Sequence, residues 1–390
     1  MSHTTTPGPR VPGATDRPPP PDHRSLAPDL ARGVMLLVIA LAHAHLFTVL
    51  IGGPENPLTI ADRITTAGTV AFVDLRGHPM FAALFGYGLA WIHRRRSEQG
   101  HEPRRTRGLL RRRGLWLVVF GLAHAVLLFP GDILAVYGLV ALLLVGVLRF
   151  RDRTLVILAL VWLPVAATVH ALVGSYDAMT GSGPPPMPDG FVNELFFRLE
   201  LFAVLFVMMF LGTIVPFLLG VLAGRHRVLE QPGEHLRLLR ATAFVGVPVA
   251  VLGGLPLALT KAGVWTDATP LDVLVITPLH QVTGYAGGLG YAALIALVAA
   301  RSTGPRGPST NALAALGQRS MTFYLAQSVA WAVLFSSYTL HIQHTSPVVG
   351  VGIAVAVWTT TALLADLMRR RNRRGPAEVA LRRLAYGPSR

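Results

Sequence analysis

The sequence predicts an all-α protein: a polytopic transmembrane helix bundle of about ten helices, with both termini on the cytoplasmic side. Three observations predict it. Ten long apolar stretches punctuate the chain, most of them near the ~20 residues that a helix needs to cross a hydrocarbon core. Lys and Arg alternate from loop to loop, the pattern that sets orientation in a bilayer. Composition suits lipid: 52% of residues are apolar and 14% charged, with a mean hydropathy of +0.50,.

In chain order, residues 1–28 are rich in Pro, Thr, Gly and Arg, lack an apolar run, and read as a disordered cytoplasmic tail,. The transmembrane domain is expected over residues 29–368. Its first helix, Leu30–Ile51, comes after no cleavage pattern and reads as an uncleaved signal anchor,. The second runs Thr69–Ile92. Gln99–Arg113 is a basic linker. Gly114–Phe129 and Ile133–Leu148 are the shortest spans, and Pro130-Gly131-Asp132 separates them where one overlong helix would otherwise run,. Thr154–Gly174 and Leu195–Ala223 flank a Pro/Gly-rich external loop around Gly181–Pro188. Ala241–Leu259, Val273–Ala300, Met321–Leu340 and Val348–Met368 complete the set, and residues 369–390 form a basic cytoplasmic tail.

Charge orients these spans. The even-numbered loops and the C-terminus carry the arginines: Arg94–Arg96 and Arg104–Arg113, then Arg149, Arg151 and Arg153, then Arg225 to Arg240, Arg301 to Arg319, and Arg369–Arg374. The odd-numbered loops hold only Arg63 and Lys261, and carry Glu55, Asp62, Asp177, Asp189, Glu194 and Asp267 instead. The net charge of +15 is therefore read as a match to anionic headgroups of a bacterial plasma membrane, not to nucleic acid. The lipid bilayer is the expected partner. With no cysteine, disulfides, thiolate catalysis and Cys-ligated metals are excluded. No phosphate-binding loop of the G-x-x-x-x-G-K-[ST] type occurs, which argues against an ATP-driven pump.

Polar groups at membrane depth are costly and so are the functional candidates. Helix one carries His43 and His45 in its outer half. Helix two opens with Asp74, Arg76 and His78; Asp74 and His78 stand at i,i+4, where a carboxylate can orient an imidazole. His124 lies near the outer end of helix three, Asp132 at the outer turn, and Tyr137 just inside helix four. Topology places these groups in one outer layer. Each also has a structural reading: Asp132 as the N-cap of helix four, Asp74 and Arg76 as an interfacial pair, His124 as an interfacial residue. The histidines lack ligand spacing such as H-x-x-x-H, so no metal is expected. A second polar group comprises His280, Gln281 and Tyr285 among Gly284, Gly287, Gly288 and Gly290. In helix nine, Tyr324 and Gln327 share a face, and a buried Gln needs partners.

Several motifs resemble those of the bacterial YeiB family of inner-membrane proteins, with a DUF418 region at approximately 225–387. They are Pro28-Asp29-Leu30-Ala31-Arg32-Gly33; Leu84-Phe85-Gly86-Tyr87-Gly88; Gly121-Leu122-Ala123-His124 with Gly131-Asp132-Ile133-Leu134-Ala135-Val136-Tyr137; Gly317-Gln318-Arg319-Ser320-Met321-Thr322-Phe323-Tyr324-Leu325-Ala326-Gln327-Ser328; and Gly375-Pro376-Ala377-Glu378, ahead of an amphipathic segment. His43 stands where that family commonly has Asn, and Gln318 is inserted at its Gly-Arg step. The family is distantly similar to membrane acyltransferases. That analogy implies transfer of an acyl group from a cytoplasmic donor, with acyl-CoA the candidate co-substrate, to an envelope acceptor. In this reading His124, Asp132, Asp74 and Tyr137 are catalytic. His43, His78, Tyr324, Gln327, Arg319 and Arg32 bind the small-molecule substrates, the two arginines holding donor phosphates. A proton-coupled transporter or permease is the alternative, and a non-catalytic envelope protein a third reading.

Overall fold

The computed structural model describes residues 26–51, 53, 57–180, 186–301 and 307–387. Most of the expected N-terminal tail, much of the Gly181–Pro188 loop and Arg306 lie outside them. Among the described residues every regular element is helical. α1 is Leu26–Leu50, α2 Ile60–Phe72, α3 Gly77–Glu98, α4 Pro103–Leu127 and α5 Leu134–Leu144, which tightens into a 3-10 turn over Val145–Arg149. Then come α6 (Asp152–Thr180), α7 (Phe191–Arg225), α8 (Leu236–Lys261), α9 (Pro270–Arg301), α10 (Pro308–Gln318), α11 (Ser320–Phe335), α12 (Pro347–Arg370) and α13 (Pro376–Tyr386).

Six of these helices are long and apolar enough to cross a membrane: α1, α6, α7, α8, α9 and α12. Leu134–Arg149 and Ser320–Phe335 are shorter apolar segments. The chain is a helical, multi-pass membrane protein. Its outward surface says the same: Leu160, Phe244 and Leu252 are each more than 60% exposed, a surface that lipid, not water, accommodates.

Several expected elements differ: 103–113 of the expected linker already belongs to α4, and α10 matches no expected span. The second span is two helices, because the chain turns over Val73–Arg76 and Leu75 adopts a left-handed φ of 54°. The basic C-terminal tail also contains α13, amphipathic and packed against α4 and α11.

The helices pair closely: α8 with α9, α3 with α7, α4 with α5, and α1 with α10 and α12. At the α3–α7 crossing a Cβ on Gly86 would stand 2.3 Å from the Phe217 carbonyl oxygen, and one on Gly220 would stand 2.0 Å from that of Ala83. Small residues thus let the backbones meet, as is usual where lipid offers no hydrophobic drive between helices. The main core joins Met35, Leu36, Met80, Val136, Tyr137 and Tyr324, so α1, α3, α5 and α11 enclose the polar residues at the α4–α5 corner.

Candidate functional site

The site begins where α4 ends. Phe129 N–H still donates to the His124 carbonyl at 3.0 Å, and Pro130-Gly131 then turns the chain. Asp132 sits ahead of α5 and uses both carboxylate oxygens. Oδ2 accepts the Ala135 N–H at 2.6 Å, closing the first turn of α5; Oδ1 meets His124 Nδ1 at 2.8 Å. The capping role and the histidine-orienting role coexist in one side chain. Gly121, three residues before His124, makes this possible: a Cβ there would stand 2.4 Å from Asp132 Oδ2.

An ionised carboxylate only accepts hydrogen bonds, so in that pairing Nδ1 donates to Asp132, and the tautomer that does so with a neutral ring leaves the lone pair on Nε2. Both residues are almost fully buried, at 3% and 1% exposure, and Nε2 has no partner among the described residues. The Tyr324 ring lies 4.9 Å from the His124 ring, and its hydroxyl accepts the Ile133 N–H at 3.4 Å. His43 packs on Phe129 with ring centres 3.9 Å apart and lies 6.2 Å from the Tyr324 ring. Its Nδ1 is also buried without a partner among the described residues. Two open imidazole nitrogens therefore border Tyr324 and Phe129.

The other expected residues are placed differently. The turn at Val73–Arg76 breaks the helical register, so Asp74 and His78 do not pair; Asp74 faces His45 at 3.7 Å instead. His78 Nε2 meets the Thr213 hydroxyl at 2.7 Å. Tyr137 donates its hydroxyl to the His78 carbonyl at 3.3 Å. Gln327 donates to Thr361 Oγ1 at 3.2 Å, leaving its own carbonyl oxygen unpartnered among the described residues. Arg319 donates to the Arg373 carbonyl at 2.7 Å from Nη2 and to the Ala315 carbonyl at 3.0 Å from Nη1. Arg32 lies 3.6 Å from Asp29. Arg319 thus ties the start of α11 to the end of α12, and Arg32 faces a carboxylate one turn away on α1, so both sit on groups other than the phosphates that sequence reasoning assigns to them.

Arg76 is fully buried. It donates to the Asp74 carbonyl at 2.7 Å and to the Ala250 carbonyl, and Nη1 approaches His280 at 3.1 Å. Gln281 donates to the Tyr285 hydroxyl at 2.9 Å. The glycines of α9 make room for this turn: a Cβ on Gly284 would be 2.5 Å from the Leu75 oxygen, and one on Gly288 would be 2.9 Å from that of Arg76. Among the described residues no three His, Asp or Glu side chains are arranged to hold a metal ion.

Sequence reasoning missed a buried ion pair. Arg198 and Glu194 are joined one turn apart on α7 at 2% and 0% exposure. Arg198 also donates to the Leu127 carbonyl at 2.9 Å and to Ser336 Oγ at 2.7 Å, and Glu194 accepts the Ser337 N–H at 2.6 Å. The Glu-to-Arg i,i+4 spacing was the available signal. At the opposite end, the Glu378 carboxylate accepts the Met321 N–H at 2.8 Å, the Thr322 N–H at 3.2 Å and the Thr322 hydroxyl.

This geometry defines a class: a helical membrane protein with a buried His–Asp pair between two helix ends. Comparison narrows it. Residues 223–388 match the family described as protein of unknown function (DUF418). Across 94% of this chain and 98% of the relative, the sequence is 27% identical to the uncharacterized protein YeiB of Escherichia coli (strain K12). It is 24% identical to the uncharacterized protein YxaH of Bacillus subtilis (strain 168), over 81% of this chain and 80% of the relative. The chain thus carries a DUF418 region over residues 223–388 and is similar along most of its length to these two proteins.

Proposed function

We propose that the protein transfers an acyl group to a hydroxyl-bearing envelope acceptor, with His124 as general base. One observation carries this reading: Asp132 fixes His124 through Nδ1 while Nε2 stays buried and unpartnered among the described residues. A base needs that geometry, an oriented imidazole with its lone pair presented to the reacting group. Nε2 takes the proton of the acceptor hydroxyl as its oxygen attacks the acyl carbonyl. The imidazolium, stabilised by Asp132, then returns the proton to the departing thiolate of an acyl-CoA donor. Tyr324, beside the imidazole ring and with its hydroxyl on the Asp132 carboxylate, is the nearest candidate to polarise the carbonyl if it exchanges that partner for the substrate; Tyr137 and Gln327 donate further away. Both termini are assigned to the cytoplasm and the protein to the bacterial plasma membrane, with ten crossings in all.

The test is transfer from labelled acyl-CoA to envelope acceptors in proteoliposomes. His124→Ala should abolish transfer with membrane insertion and melting unchanged. Asp132→Asn should lower kcat by about 100-fold or more, since the amide cannot support a developing imidazolium. Wild-type protein that moves a substrate across the bilayer but modifies no acceptor would overturn the reading and favour a proton-coupled carrier. A separate observation motivates that second reading: the helix break at Val73–Arg76 beside a fully buried Arg76. Interrupted helices with buried charge recur at transporter binding sites.

A further inference from the structure

With Arg319 on backbone carbonyls and Arg32 beside Asp29, another place for phosphate recognition is the basic end of α4, which offers a concavity. Arg104, Arg107, Gly108 and Arg111 have i, i+3, i+4, i+7 spacing, which places them on one helix face. The 3-10 turn Val145–Arg149 closes the other side with Val145, Gly146 and Arg149. Together they line a cavity of about 440 Å³, within the size range of small-molecule sites. No carboxylate lines it. Among the described residues none of its four arginines makes an ion pair, whereas neighbouring Arg105 has Glu102 at 3.8 Å. The recess is open to solvent: Arg104, Arg111, Arg149 and Gly108 are exposed, and a Cβ on Gly108 or Gly146 would meet nothing within 4 Å.

We propose that this cavity binds a phosphate-bearing anion, either the diphosphate of a soluble nucleotide-linked molecule such as coenzyme A or the headgroup of an anionic phospholipid. Four like charges around one concavity repel one another, and an anion placed among them relieves that repulsion. Guanidinium forks match phosphate oxygens in geometry as well as charge. Two glycines where larger residues would fill the space leave room for the phosphates between the arginines. General attraction of basic loops to an anionic leaflet needs the charges but not the cavity, and this separates the two. The proposal rests on binding alone and stands whether or not His124 performs acyl transfer.

The experiment uses full-length protein in nanodiscs of phosphatidylcholine, titrated calorimetrically with inorganic pyrophosphate and then with coenzyme A. Parallel discs containing phosphatidylglycerol are monitored by ³¹P NMR. Arg107→Gln/Arg111→Gln should weaken binding at least tenfold. Gly146→Leu fills the cavity and keeps every charge, and should weaken it by a similar factor with an unchanged melting temperature. Arg105→Gln removes one charge outside the cavity and should change binding less than threefold. Pyrophosphate and coenzyme A binding with this pattern supports the site and assigns it a soluble ligand. A phosphatidylglycerol signal with the same pattern, in the absence of pyrophosphate binding, supports it and assigns a lipid. No binding of either kind overturns it. So does a loss that tracks net charge alone, with Arg105→Gln as damaging per charge as the cavity variants and Gly146→Leu silent.

Discussion

Replacing Glu378 by Ala should release α13 from the bundle and fray the start of α11. The first amides of any helix lack intrahelical partners, and α11 begins at Ser320 with no capping side chain of its own. Glu378, 57 residues away from Met321, supplies the cap: it accepts the Met321 and Thr322 N–H groups and the Thr322 hydroxyl. The Ala377 N–H in turn donates to Thr322 Oγ1 at 3.1 Å. A helix cap contributes about 0.5–2 kcal/mol. A carboxylate at a helix N-terminus adds about 0.3–1 kcal/mol where partly exposed. Glu378 is half-buried, so a combined loss of about 1–2 kcal/mol is expected, or roughly a 5- to 30-fold rise in local opening. Amide hydrogen exchange in nanodiscs should show that rise over residues 320–324 and 376–386, with α8 and α9 unaffected. Gly375→Ala should reproduce it with the carboxylate still present, because a Cβ there would stand 2.0 Å from Glu378 Oε2 and 2.6 Å from Thr322 Oγ1. Unchanged protection in both variants would refute the latch.

Three further outcomes are expected. Arg198→Leu should destabilise the protein by about 3–5 kcal/mol, because it strands a buried carboxylate; Arg198→Leu/Glu194→Leu should be milder, and equal melting of the single and double variants in detergent would contradict the pairing. The Thr59 hydroxyl and N–H hold the Asp62 carboxyl below its ordinary value of 3.8, so the capping contribution to α2 is complete above that pH and is lost as pH falls through the lower folded value; Asp62→Asn should remove that acid-dependent fraying from exchange data, and an identical profile would count against it. Reporter fusions after Arg113 and after Asp177 should report opposite sides of the membrane, and the same side for both would sink the ten-crossing topology.

The helical class was legible because its causes are local. Apolar length and loop charge are properties of consecutive residues, and α1, α6, α7, α8, α9 and α12 arise from them directly. The α2–α3 break was not legible, since Val73–Arg76 reads as continuous with the apolar run over Gly77–Ile92. The turn is held by distant contacts: Arg76 to Ala250 and His280, with Gly284 and Gly288 making space. Helical spacing therefore paired Asp74 with His78, and the tertiary turn undid the pair. The proximity of His124 and Asp132 was readable from the short connection between α4 and α5. The roles of Arg319 and Arg32 were not, because a sequence shows a guanidinium but not whether a carbonyl already occupies it.

Occupancy also decides which motif residues remain candidates for chemistry. Gly317 and Gln318 meet Asp29 where α10 crosses α1. Gly86 seats α3 on α7, and Gly375 and Glu378 close on Thr322. Each of these motifs is accounted for by a contact between two helices that would otherwise not approach. The same accounting absorbs Arg319, Tyr137 and most of Gln327. It does not absorb His124 Nε2 or His43 Nδ1, which face the Tyr324–Phe129 region with their hydrogen-bonding capacity unspent among the described residues. A buried polar atom without a partner costs about 1–3 kcal/mol, and nothing in the helix crossings requires that cost. A bundle needing only stability could hold either position with an apolar side chain. Other buried atoms also lack a partner among the described residues, at Arg76, Gln281 and Trp331, but only beside Tyr324 and Phe129 do two such imidazole nitrogens come together, which makes the α4–α5 corner the first place to look for a substrate.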